Sequence, residues 1–180
     1  MATYVALLRG INVGGNKRIA MAALRELVEG LGYGNVQTYV NSGNVVFTTA
    51  MSPNGDIARN IHEAIRRQLG MDVAIIVRTD EEVRRVVAGN PFPERVEEPK
   101  TLHVTFLAET PDPDEVAKLA DLPRGDDDYR VIGDVVYLSY PNKMTGAVFL
   151  PKLSVPQTNR NWTTVMKLAE MATSTAAASS

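Results

Sequence analysis

Apolar residues along this chain fall into two rhythms, and their order predicts the elements. Tyr4 to Leu8 is a short unbroken apolar run, as expected of a strand covered on both faces. Met21, Leu24, Leu27, Val28 and Leu31 recur at helical spacing, with Gly32 where a helix would stop. Val36–Val40 and Val45–Thr48 flank Asn41-Ser42-Gly43-Asn44 and read as a hairpin. Pro53-Asn54-Gly55-Asp56 breaks the chain. Asp56 is predicted to cap a helix whose apolar positions are Ile57, Ile61, Ala64, Ile65 and Leu69, closed by Gly70. Val73 to Val77 is the next strand. The order β-α-β-β-α-β is that of a split βαβ, or ferredoxin-like, unit.

Asp80 is predicted to cap an added helix running to Ala88, which stops at Gly89-Asn90-Pro91. Residues 90–100, with Pro91, Pro93 and Pro99, read as a connection. The pattern then restarts. Leu102–Leu107 alternates as a strand, Asp114 or Pro113 opens a helix, and Tyr129–Ile132 and Val135–Tyr140 form a hairpin about Gly133-Asp134. A last helix covers Trp162 to Met171, with Thr158 or Asn159 as its cap. The predicted class is α+β, in two ferredoxin-like (α/β-plait) halves. Residues 1–89 form the first with its added helix. Residues 101–172 form the second, an incomplete β-α-β-β-α, and 173–180 are a flexible tail. The halves share a pattern and no visible sequence.

Hydrophobic residues make up 44% of the 180 and charged residues 22%, which fits a folded globular chain and excludes a disordered or fibrous one. There is no cysteine, so disulfides, thiolate metal sites and cysteine nucleophiles are excluded. Two histidines, His62 and His103, cannot build a histidine-rich metal cage. No metal and no cofactor is predicted. No stretch reaches the roughly 18 apolar residues of a membrane span, and the run before Arg9 is too short for a signal peptide, so a cytoplasmic, membrane-free protein is expected. A net charge of −2 argues against a nucleic-acid binder, although the charge is uneven: 10 basic and 8 acidic residues in 1–90, against 9 and 13 in 91–180. The strands also lack the paired aromatics of RNA-recognition modules.

Three polar segments carry candidate chemistry. Arg9-Gly10-Ile11-Asn12-Val13-Gly14-Gly15-Asn16-Lys17 joins a strand to a helix. Its glycines let backbone amides approach a ligand, and Arg9, Asn12 and Lys17 add donors for a phosphate or carboxylate. It lacks the endings of a P-loop and of a dinucleotide fingerprint. Ser42, Gly43 and Asn44 form a turn that places two hydrogen-bonding side chains at a sheet end. Arg160 and Asn161 precede the last helix. A cation there opposes the helix dipole, and so points to an anion or to an acidic partner. Arg59, His62 and Arg66, with Arg67, form a basic helix stripe that reads as a solvated face. Asp126-Asp127-Asp128 has the wrong spacing for an EF-hand and reads as a loop.

Leu7-Leu8-Arg9-Gly10-Ile11-Asn12-Val13-Gly14-Gly15, Ser42-Gly43-Asn44-Val45-Val46-Phe47 and Arg160-Asn161-Trp162-Thr163-Thr164-Val165 together resemble the domain of unknown function 1697 family, as do Asn90-Pro91-Phe92 and Leu102-His103-Val104. The resemblance spans about residues 3–170. It implies two α/β-plait halves and transfers no activity. The family's usual Ser-Lys-Leu stretch is missing between Tyr140-Pro141 and Arg160, leaving Lys143 or Lys152 to stand in for its lysine. The leading expectation is a small anionic ligand, a nucleotide or carboxylate, held in a polar site between the halves by Arg9, Gly10, Asn12, Asn16, Ser42, Gly43, Asn44, Arg160 and Asn161. One alternative is an enzyme using the same pocket, with Ser42 as nucleophile or orienting group, His103 as acid/base and an arginine as anion stabiliser. The other is an interaction module for protein or nucleic acid. Oligomeric state is left open.

Overall fold

A computed structural model describes residues 1–179. It is a mixed α+β protein with two four-stranded antiparallel sheets and five α-helices among the described residues. The chain divides into two compact units, one of residues 1–85 with 167–180, the other of residues 86–166.

The first unit runs β1 (Ala2–Leu8), α1 (Met21–Glu29), β2 (Gly34–Tyr39), β3 (Asn44–Thr49), α2 (Asn54–Leu69) and β4 (Ile75–Thr79), then enters α3 (Asp80–Ala88). Its strands lie in the order β2-β3-β1-β4. Tyr4, Ala6 and Leu8 of β1 point to one face with Val45, Phe47 and Val77. Leu24, Leu27 and Val28 of α1 and Ile57, Ile61, Ala64 and Ile65 of α2 pack onto them. The opposite face, carrying Thr3, Val5, Leu7, Val46, Thr48, Ile76 and Arg78, is buried too. Burial on both faces is why these strands read as unbroken apolar runs rather than alternating ones.

Several helix and strand ends differ from expectation. Asp56 does not cap α2; Pro53 stands before the helix, and Asp56 lies in its first turn, paired with Arg59 at 2.7 Å. Asp80 does not cap α3. Thr79 does, in a reciprocal box: its N–H donates to Glu82 Oε2 at 2.7 Å, and its Oγ1 accepts from the Glu82 N–H at 3.1 Å. Asp80 instead pairs with Arg84. The strand expected at 73–77 is β4, two residues further on. Arg78 and Thr79 belong to it because Val5 pairs with Arg78 and Tyr4 with Thr79.

The second unit contains β5 (Leu102–Leu107), the short helix α4 (Pro113–Lys118), β6 (Asp128–Ile132), β7 (Val135–Ser139) and β8 (Gln157–Asn161), then enters α5 (Trp162–Ala178). Its sheet order is β6-β7-β5-β8. Two expectations fail here. The second half is not missing its closing strand: residues 157–161, read as the approach to a helix, pair along β5 as β8. Residues 173–178 are not a tail but helix, in which Ala172 and Thr175 are buried, and the Thr175 Oγ1 accepts from Gln37 Nε2 at 3.1 Å.

The two sheets share one strand order and one register. Val5 sits between Val46 and Arg78, and Val104 between Tyr137 and Arg160. A buried arginine on the last strand, two residues ahead of a helix, is thus common to both units. They differ between the second hairpin and the last strand. Helix α2 fills that place in the first unit, whereas residues 140–156 fill it in the second without an α-helix. Phe149 from that segment packs with Leu107, Val136, Leu138 and Tyr140. Asp127 fastens it: one carboxylate oxygen accepts from the backbone N–H groups of Val148 at 2.7 Å and Phe149 at 2.9 Å.

Replacing Asp127 with alanine orphans two amides, one of them buried. The expected loss is about 2–4 kcal/mol in urea denaturation, with faster hydrogen exchange at Val148 and Phe149. Unchanged exchange at those amides would show that the segment is held by packing alone.

Candidate functional site

The segment after β1 is a small hairpin. The Asn12 N–H donates to the Lys17 carbonyl at 3.1 Å, Val13 bridges to Asn16, and the tip is Gly14-Gly15, both left-handed. Asn12 organises it. Its side-chain oxygen accepts from the Ile19 N–H, and its amide donates to the Ile19 carbonyl, each at 2.9 Å. The same amide donates to the Asn41 carbonyl at 2.7 Å. One side chain therefore closes the 9–18 loop and ties it to the β2–β3 turn.

That turn has its own constraint. Gly43 has φ +83°, and a Cβ there would stand 2.7 Å from both Leu8 Cβ and Ile11 Cδ1. Its carbonyl accepts from the Leu8 N–H at 2.8 Å. The next residue, Asn44, is fully buried, and its amide donates to the Tyr39 carbonyl and to Ser42 Oγ, each at 2.9 Å. Gly43 and Asn44, expected as ligand contacts, thus fix the turn.

The two loops enclose an open pocket of about 440 Å³, lined by Asn12, Gly15, Arg18, Ile19, Ala20 and Asn41. That volume lies in the usual range for a small-molecule site. Arg18 is its cation, with a guanidinium nitrogen 4.0 Å from where a Gly15 Cβ would stand. Arg18, Ile19 and Ala20 lie just past the glycine-rich stretch and carry no signal in the sequence, and Asn41 reads there only as part of the turn. The Arg9 side chain is exposed, and its backbone N–H donates to the Ala74 carbonyl at 3.0 Å. Gly10 is left-handed with open space about it, and Asn16 is exposed.

His103, Arg160 and Asn161 belong to the second unit. Arg160 is not at a helix N-terminus: it lies within β8, where it donates to Thr158 Oγ1 and to the Asn159 carbonyl, each at 2.8 Å. Burial pushes its guanidinium down to about 10. The cap of α5 is Asn161, not Thr158 or Asn159; its Oδ1 accepts from the Thr164 N–H at 3.0 Å. His103 on β5 is 8% exposed, its Nδ1 lies 2.7 Å from Asn159 Oδ1, and the edge of its ring meets Tyr140. Desolvation lowers its pKa, against the opposing hydrogen bonds to Asn159 and the Lys100 carbonyl. Lys143 and Lys152 are exposed. Among the described residues no three histidine or carboxylate side chains are placed to hold a metal, and no helix is long and apolar enough to cross a membrane.

Residues 1–137 match the model of a family described as "Protein of unknown function (DUF1697)". The structure is similar to that of a conserved bacterial protein, SP0830 from Streptococcus pneumoniae. The TM-score is 0.77 at 24% sequence identity, over 95% of this chain and 98% of the other. At that identity the likeness is one of fold. A comparison with curated proteins finds no match.

Gly43→Ala combines left-handed strain with a backbone-anchored clash, and is expected to cost about 2–4 kcal/mol by chemical denaturation. A cost below a few tenths would mean that the turn shifts freely. His103 holds its proton less readily folded than unfolded, so the unfolded chain takes up the proton first as pH falls. Stability is then lost as pH drops below the ordinary histidine value of 6.5. Between there and acid, the stability-versus-pH curve of His103→Gln should be flatter than that of the parent; parallel curves would contradict the assignment.

Proposed function

We propose that this chain, which belongs to the DUF1697 family of proteins of unknown function, binds a small anionic ligand in the pocket between its 9–18 hairpin and its β2–β3 turn. The observation that carries the reading is the company Arg18 keeps. A solvent-facing guanidinium lines a concave space beside a left-handed glycine tip, with a wall fixed by Asn12 through three hydrogen bonds. Among the described residues no carboxylate pairs with Arg18, so an incoming anion displaces only water there. A guanidinium grips a carboxylate or phosphate in two parallel hydrogen bonds, while bare glycine backbone admits its oxygens closely. Arg9, Gly10 and Asn16 border the same loop. Ser42, Gly43 and Asn44 support it from the neighbouring turn. The proposed site lies wholly within the first unit.

We also read each unit as a ferredoxin-like plait. The strand order β4-β1-β3-β2 supports this for the first, with α1 and α2 on one face. The matching order β8-β5-β7-β6 supports it for the second, which lacks one helix.

The reading is checked by thermal shift and calorimetric titration with phosphate, nucleotides, sugar phosphates and small carboxylates at low salt. A ligand at ~100 times its Kd stabilises the fold by about 2.7 kcal/mol. Arg18→Ala, a change at an exposed side chain, should leave the unliganded melting temperature unchanged and weaken the ligand by roughly 10-fold or more. A panel without any shift, or a shift that persists in Arg18→Ala, would refute the site.

A further inference from the structure

Between α2 and β4 the chain passes through Asp72 and Val73, and two separate elements hold that connection. From the 9–18 hairpin, Lys17 Nζ donates to the Asp72 carbonyl. From α2, His62 Nδ1 lies 2.8 Å from the Val73 carbonyl, and its Nε2 lies 3.6 Å from Asp72 Oδ1. Arg9 is anchored one residue further on, through the Ala74 carbonyl. The helix stripe and the loop, separate features in the sequence, therefore meet on one surface. We infer that this surface docks the phosphodiester backbone of a double-stranded nucleic acid, through Arg9 and Lys17 of the hairpin and Arg59, His62 and Arg66 of α2.

Four observations bear on the partner. Arg59, His62 and Arg66 lie at i, i+3 and i+7 on one helix face, with both arginines exposed. At 1.5 Å per residue they span about 10 Å, a length over which a duplex presents several phosphates. The acidic excess of the protein lies elsewhere. The first unit holds eleven basic and nine acidic residues, the second eight and twelve. Within the first unit, five of those nine carboxylates sit on α1 and α3: Glu26 and Glu29, and Asp80, Glu81 and Glu82. Three others stand on the α2 side, and Asp56 is paired with Arg59 through a pair that a phosphate can replace. Finally, no Phe, Tyr or Trp stands in the 9–18 hairpin, on α2 or at 70–74, and the one ring there, His62, is held against the Val73 carbonyl. Single-strand binders stack bases on several aromatic rings, so exposed arginines and a lysine around one tethered imidazole suit the outward phosphates of a duplex. The surface shares a loop with the pocket of Arg18 but does not use that residue, so the two readings stand or fall separately.

The test is fluorescence anisotropy of a labelled 20-base-pair duplex with the full chain, from low to physiological salt. The expected result is sequence-independent binding whose log K falls linearly with log salt, with a slope of roughly −3 for about three phosphates engaged. Lys17→Glu, Arg59→Glu and Arg66→Glu combined should weaken binding by roughly 10-fold or more while the circular dichroism spectrum is unchanged. A control of equal net charge, Arg25→Glu, Lys118→Glu and Arg130→Glu, should retain most of the affinity, as should Arg18→Ala. Equal weakening by both triple variants would reduce the effect to net charge and overturn the surface. So would absence of salt-dependent binding, a single strand of the same length bound as tightly as the duplex, or binding only to phosphatidylserine vesicles.

Discussion

The first unit depends on the close approach of the β2–β3 turn to the end of β1. Gly43 can lie against Leu8 and Ile11 only because it has no side chain, and at that distance its carbonyl receives the Leu8 N–H. Leu8 is also a core residue beneath both helices, and Ile11 carries the core outward into the polar loop. One contact therefore sets the register at the sheet end, seals the core and brings the Asn41 carbonyl within reach of Asn12. A pocket bounded by two flexible-looking loops inherits its geometry from a packed apolar contact below it.

The second unit solves the same packing problem with different material. Its sheet repeats the order and register of the first, yet a proline-containing segment lies where a helix would be, and a single buried carboxylate pins that segment by two amides. A helix satisfies its own backbone, whereas an irregular segment must borrow partners, which is why Asp127 is buried. The Asp126–Asp128 run, which as a sequence resembles only a solvated loop, contains that partner.

Elements with apolar content were legible: β1, β3, β5 and β7 are runs of Val, Leu, Phe and Tyr, and α2 shows its face plainly. Strand β8 was not, because Gln157-Thr158-Asn159-Arg160-Asn161 has no apolar residue at all. Its polar side chains are satisfied by partners in other elements: Asn159 by His103 and Thr105 of β5, more than fifty residues away, and Gln157 by Leu153 and Pro151 of the preceding irregular segment. No pattern along the chain reports such bonds. The loops of the candidate site were legible from their glycines and amides, but the division of labour within them was not. Asn12 has a donor's side chain and a clip's role, and only the positions of Ile19 and Asn41 reveal which it performs. Thr79-x-x-Glu82, by contrast, was a readable capping signature that the neighbouring Asp80 obscured.

Helix α5 leaves the second unit at Met166 and continues as part of the first, so the first unit is not a contiguous stretch of chain. Gln37 on β2 finds its partner 138 residues later, at Thr175. During synthesis, then, residues 1–85 emerge well before the carboxy-terminal part of α5 that completes their unit. The portion made in between, residues 86–166, is by contrast one unbroken stretch of chain. Cutting the chain in the proline-rich connection would not release two self-sufficient halves. It would leave an amino-terminal fragment lacking its own closing helix, a piece that could be restored in trans or by circular permutation.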